Sequence, residues 1–188
     1  MKKSLGAKTL AQPAPVWVIG SYDVHGKPNI MTIAWGGICC SQPPCLAISL
    51  RKATYTYECL TQRKAYTVNI PASDLVTEAD YAGITSGRNI DKFKMMNLTP
   101  VRSELVDAPC IKEFPVVIEC RVIHTLEIGL HTQFIGEIMD IKAEESVLGK
   151  DGMPDMLKVM PIIFDTGQSA YYAIGEYIGK AFSIGKKT

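Results

Sequence analysis

Apolar and polar positions divide the chain into many short β-rich runs and a few helical ones. Val16 to Ser21 is a β-branched run, Asp23-Val24-His25-Gly26-Lys27-Pro28 supplies turn chemistry, and Asn29 to Trp35 is strand-like again. Gly36-Gly37 and Ser41-Gln42-Pro43-Pro44 read as punctuation before a third apolar strand, Cys45 to Leu50, so three consecutive antiparallel strands are expected. Ala53 to Lys64, with Tyr57 and Leu60 three apart, suits a short helix, and Ala65 to Ile70 reads as a strand stopped by Pro71. Ser73 to Tyr81 and Asn89 to Met96 have helical spacing on either side of the Thr85-Ser86-Gly87-Arg88 loop. Val116 to Leu126 and Gln133 to Glu144 form a large predicted hairpin through Gly129 and His131, and a further strand is expected around Ile162 and Phe164. Tyr171 to Phe182 reads as a loose extension. Many modest strands with few short helices predict a mainly β fold, a closed or nearly closed barrel.

A length of 188 residues suits one domain spanning 1–188, with a core over about 14–145 and a C-terminal extension over about 146–188. Twenty basic and 19 acidic residues are interspersed without long single-sign runs, which argues against a general nucleic-acid or membrane footprint. Met1 to Ala11 has lysines but no apolar run after them, and no stretch reaches membrane-spanning length, so a soluble cytoplasmic protein is expected. Cys39, Cys40, Cys45, Cys59, Cys110 and Cys120 show no C-x-x-C spacing and read mainly as buried small hydrophobes, with a reactive thiol as the alternative.

The familiar enzyme constellations are missing: no G-x-S-x-G elbow, H-E-x-x-H, Walker loop or G-x-G-x-x-G appears. His25, His124 and His131 fall at a turn, within a strand and at a hairpin end, and no metal site is expected from them. Of the three, His131 is kept as a candidate. In Ser49-Leu50-Arg51-Lys52-Ala53-Thr54-Tyr55-Thr56 a strand empties into two cations and two hydroxyls beside a helix start, a combination able to meet a phosphate. The same residues also read as a solvated strand end with a Thr cap. Asn29 to Thr32 offers strand backbone to the polar edge of a flat heterocycle, and Trp35 offers an aromatic face or a core side chain.

Taken in order, Pro28-Asn29-Ile30-Met31-Thr32-Ile33-Ala34-Trp35, Ser49-Leu50-Arg51-Lys52, Tyr66-Thr67-Val68-Asn69-Ile70-Pro71, Ser86-Gly87 with Asp91-Lys92-Phe93, and Phe134-Ile135-Gly136-Glu137-Ile138 resemble the flavin reductase-like proteins, and within them the flavoredoxin-type members. The resemblance covers about residues 14–145 and has a weaker echo in Ile178 to Phe182. It implies a Greek-key-like, antiparallel FMN-binding split β-barrel and a homodimer. It also implies FMN phosphate near Arg51, Lys52, Thr54 and Thr56, and the isoalloxazine along Asn29, Ile30, Met31 and Thr32 with Trp35 nearby. Lys92 matches the family lysine that approaches the flavin, Phe164 lies where a later segment reaches the cofactor, and His131 stands where a nicotinamide-side histidine is common. The implied activity is electron transfer through bound FMN with a redox protein partner, toward which Trp35 leans. The alternatives are an NAD(P)H-dependent flavin reductase using flavin as substrate, and a non-redox ligand-binding or structural dimer.

Overall fold

The computed structural model describes residues 1–186. Strands, in chain order, are β1 (Ala14–Pro15), β2 (Trp17–Tyr22), β3 (Pro28–Ile33), β4 (Gly36–Ser41), β5 (Pro44–Arg51), β6 (Ala65–Ile70), β7 (Pro100–Arg102), β8 (Pro109–Ile111), β9 (Val116–Ile128), β10 (His131–Ala143), β11 (Ile162–Asp165) and β12 (Ala170–Ala173). Helices occupy the connections: α1 (Tyr55–Arg63), α2 (Val76–Ile84), α3 (Lys92–Met95) and α4 (Met156–Val159). A seven-stranded antiparallel sheet runs β3-β2-β6-β9-β10-β5-β4, and β1-β11-β12 forms a second sheet.

The large sheet curls because its far ends share one core. Ile33 on edge strand β3 belongs to the same buried cluster as Leu46, Ile48 and Leu50 on β5, together with Ile19, Tyr66, Val68, Ile118 and Phe134. Each fully buried side chain of this kind contributes about 1.5–3 kcal/mol. Gly136 makes room for the largest of them: a Cβ there would overlap the Tyr66 ring, whose hydroxyl donates to the Leu46 carbonyl at 3.1 Å. β2 is covered on both faces. Ile19 points into the barrel, while Val18 joins Ile30, Ala79, Ala82 and Phe93 in an outer cluster beneath α2 and α3.

Several expectations change. Gly36 to Ser41 is a strand, not punctuation; it is a sheet edge whose residues from Cys39 to Ser41 face water, so no alternation marked it. β5 pairs with β4 and β10 and has no ladder with β3, which replaces the expected three-strand meander. Cys39 and Cys40 are exposed for the same edge-strand reason, whereas Cys45, Cys59, Cys110 and Cys120 are buried. The expected helix over Asn89 to Met96 shortens to α3 because Asp91 is its N-cap, accepting from the Lys94 N–H at 3.2 Å. The start of the expected loose extension is β12, paired with β11. The chain after β10 packs back on the barrel: Val147 and Val159 meet Val116, and β11 pairs with β1.

Candidate functional site

At the first corner of the site, β5 ends and α1 begins. Thr54 is the N-cap of α1; its hydroxyl accepts from the Tyr57 N–H at 3.4 Å and donates to the Arg51 carbonyl at 2.8 Å. That double use closes the turn and leaves Arg51 and Lys52 projecting as exposed cations beside the nine-residue helix. Lys52 holds Glu127 at 2.7 Å in a solvent-exposed ion pair. Arg51 enters no ion pair among the described residues and sits directly across from His131 in the β5–β10 register. Trp35, 40 % exposed, lies parallel to the His131 imidazole, with ring centroids 6.5 Å apart and an 11° interplanar angle. The Trp35 carbonyl accepts from the Ser49 N–H at 2.9 Å, which fixes the start of β4 to β5. Arg51 at the end of β5, His131 at the start of β10 and Trp35 in the β3–β4 connection are thereby gathered at one corner.

A second corner is buried. Asn29 donates its side-chain amide to Thr56 Oγ1 at 2.9 Å and to Ser21 Oγ at 3.3 Å, while its own Oδ1 has no partner. Gly87 closes over it, and any Cβ at that position would overlap Asn29 Oδ1. Lys92, 4 % exposed, donates to the carbonyls of Ile30 at 2.7 Å and Ala82 at 2.6 Å. Burial pushes its ammonium down to about 8. Two carbonyl acceptors leave one ammonium N–H uncommitted. As the edge of the sheet, β3 also presents one row of backbone groups without a ladder partner.

The structure thus sorts the sequence candidates. Arg51, Lys52, Thr54, Trp35 and His131 gather at the first corner; Asn29, Ile30 and Lys92 meet at the second. Thr56 is 1 % exposed and its hydroxyl oxygen accepts from the Asn29 amide, which ties it to the second corner. Ile30 is fully buried and contributes its carbonyl, and Met31 packs against the barrel core. Thr32 donates to the Ala79 carbonyl. Phe164 leans on Tyr171 at 5.5 Å and lines, with Thr32, Ala34, Asp80 and Gly83, a 170 Å³ cavity beside β3. Sequence reasoning missed a lock that holds the β2–β3 turn against α1. Tyr55 donates to Asp23 Oδ2 at 2.8 Å, and Arg63 Nε donates to the Asp23 carbonyl at 2.9 Å. Asp23 lies 32 and 40 residues from these partners, and no local pattern joins them. A larger cavity, about 750 Å³ and almost wholly apolar, lies away from both corners among Trp17, Ile141, Met153, Met156 and Ile163.

Against known proteins, the family model described as flavin reductase like domain matches residues 10–171. The chain is 59% identical to flavoredoxin of Desulfovibrio vulgaris (Miyazaki F), with a TM-score of 0.95 over 99% of this chain and 100% of that one. It is 34% identical to flavoredoxin from Methanosarcina acetivorans, with a TM-score of 0.92 over 99% and 98% of the two chains. A split barrel domain protein of Shewanella frigidimarina, 20% identical, shares the fold with a TM-score of 0.83 over 96% and 98% of the two chains. The architecture is a split barrel.

Proposed function

The chain belongs to the flavin reductase-like family, and from that premise we propose that it binds FMN and passes electrons through it as a flavoredoxin-type carrier. The observation that carries this reading is the 59% identity to a flavoredoxin along 99% of the chain.

The residues fit FMN on their own chemistry. An unpaired guanidinium at Arg51 and the N-terminal N–H groups of the nine-residue α1 suit a phosphate dianion. The exposed Trp35 face and the free edge of β3 suit a flat heterocycle with a hydrogen-bonding rim. The orphan Asn29 Oδ1 and the uncommitted Lys92 N–H are one buried acceptor and one buried donor flanking β3.

FMN, when bound, supplies the hydride or single-electron chemistry, which accounts for a sequence without a catalytic-triad motif. The chain's own residues hold, orient and bias. Arg51 binds the phosphate end, with Lys52 adding to the field while it remains paired to Glu127. Trp35 and His131 provide a planar wall. Lys92, a cation held in low dielectric by two carbonyls, favours negative charge along β3, and its Nζ keeps the Ile30 carbonyl fixed in position. Phe164 closes the side nearest Thr32. The apolar 750 Å³ groove suits burial by a second copy in a homodimer. Six unpaired cysteines fit a reducing, cytoplasmic setting.

Absorbance of the purified protein, followed by anaerobic titration with NADH and NADPH, tests the reading. Flavin bands that persist with nicotinamide and bleach with dithionite are expected of a carrier. Bleaching by NADH or NADPH assigns a flavin reductase instead, and an absence of bands after FMN is supplied removes the flavoprotein reading.

A further inference from the structure

The two ends of the chain differ in charge from everything between them. Residues 1–22 contain Lys2, Lys3 and Lys8 and no acidic residue, and residues 177–188 contain three lysines and no acidic residue. The intervening 23–176 hold 14 basic and 19 acidic residues, a charge of −5. The overall +1 conceals basic arms on an acidic body.

The N-terminal arm is fastened beside the candidate site. Gln12 donates its side-chain amide to Asp165 Oδ1, Leu10 lies against Gly167, and β1 is laddered to β11. This brings Thr9, Ala11 and Pro13 to the wall of a 380 Å³ recess that also contains Ala34, Trp35 and Gly36. Lys8 immediately precedes that wall. Lys2, Lys3 and Lys8 are exposed, and none enters an ion pair among the described residues. Asp165, the acidic side chain in contact with the arm, is turned into its own loop, where it also accepts from the Gly167 and Gln168 N–H groups at 2.7 and 3.1 Å.

We propose that the basic N-terminal arm, fastened beside Trp35, forms the docking face for a small acidic redox protein carrying a one-electron centre. The proposal rests on the carrier reading and names its partner class. Leu5 and Leu10 give the face an exposed apolar centre, and the lysines give it a basic rim, the composition of a transient electron-transfer contact. Charge also sets orientation: an acidic partner is repelled by the −5 body and drawn to the arm. Each encounter would pass one electron from the partner's reduced centre to FMN held by the chain, with no bond formed between the proteins; two encounters would supply both electrons of a two-electron reduction, its proton taken from solvent.

The test uses the FMN-loaded protein, a reduced acidic [4Fe–4S] ferredoxin as probe, and stopped-flow absorbance. The second-order rate is expected to fall roughly tenfold as NaCl rises from about 20 to about 300 mM, as steering is screened. The Lys2→Glu, Lys3→Glu, Lys8→Glu triple variant is expected to react roughly tenfold more slowly at low salt and to converge with the parent at high salt. A binding titration with oxidised ferredoxin should rank the two proteins the same way without electron transfer. Equal rates and affinities for parent and triple variant at low salt would overturn the proposal, as would faster reduction by a basic haem protein. A yellow, dithionite-reducible protein that ignores the lysines sinks the docking face alone, whereas a colourless one sinks the carrier reading together with it.

Discussion

The two corners of the candidate site handle cations in opposite ways. At the β5–α1 corner, Arg51 and Lys52 stand in water, and the Lys52–Glu127 pair is screened by it. At the β3–α3 corner, Lys92 is buried on two carbonyls, and its ammonium is lowered to about 8 by that burial. The first arrangement costs the fold almost nothing and is free to serve a ligand. The second is built into the fold, so disturbing it disturbs stability as well as binding.

The sharpest way to break this contrast is Gly87→Val. Its added atoms would collide with Asn29 Oδ1 and force the Asn29–Thr56–Ser21 cluster apart, at an expected cost of about 2–4 kcal/mol in urea denaturation. Thr56→Val keeps the shape but removes the acceptor for the Asn29 amide, and should cost about 1–3 kcal/mol. A third effect is pH dependence. Because Lys92 titrates lower in the folded protein than its ordinary 10.5, the unfolded chain holds more protons between about pH 8 and 10.5. Stability should rise with pH across that window, by at most about 1.4 kcal/mol per unit. Lys92→Met should flatten that slope in denaturation measured at pH 7.5, 8.5 and 9.5; an unchanged slope would assign it to another group. Arg51→Ala belongs at the small end for stability, within about 0.5 kcal/mol, since the side chain is exposed and enters no ion pair among the described residues. Lys52→Ala should cost about 0–1 kcal/mol for its exposed ion pair.

The same contrast explains what could be read from the chain beforehand. Arg51, Lys52 and Thr54 are neighbours in sequence, so their convergence at a helix start was visible as a motif. Asn29 and Thr56 are 27 residues apart, and Lys92 and Ile30 are 62 apart. No local periodicity reports such pairs; Lys92 entered only through family resemblance, and Thr56 was read with Arg51, Lys52 and Thr54 because it sits two residues from Thr54, with no local sign of its bond to Asn29. The strands of the barrel were legible where β-branched residues cluster, as in β2, β6, β9 and β10. β4 was not, because an edge strand containing two glycines and exposed cysteines lacks the alternation that burial of one face imposes. The neighbour of β5 was also beyond reach, since pairing with β10 depends on the closure of the whole sheet.

On this reading the exposed corner holds the phosphate of FMN while the buried corner serves its ring. Comparing the affinities of FMN and riboflavin for the apoprotein and for Arg51→Ala, by fluorescence quenching, tests it most directly. The parent should prefer FMN by roughly tenfold or more, as a charge-assisted phosphate contact implies, and Arg51→Ala should lose most of this preference while its riboflavin affinity is unchanged. Equal binding of FMN and riboflavin by the parent, or an Arg51→Ala variant that keeps the full preference, would contradict it.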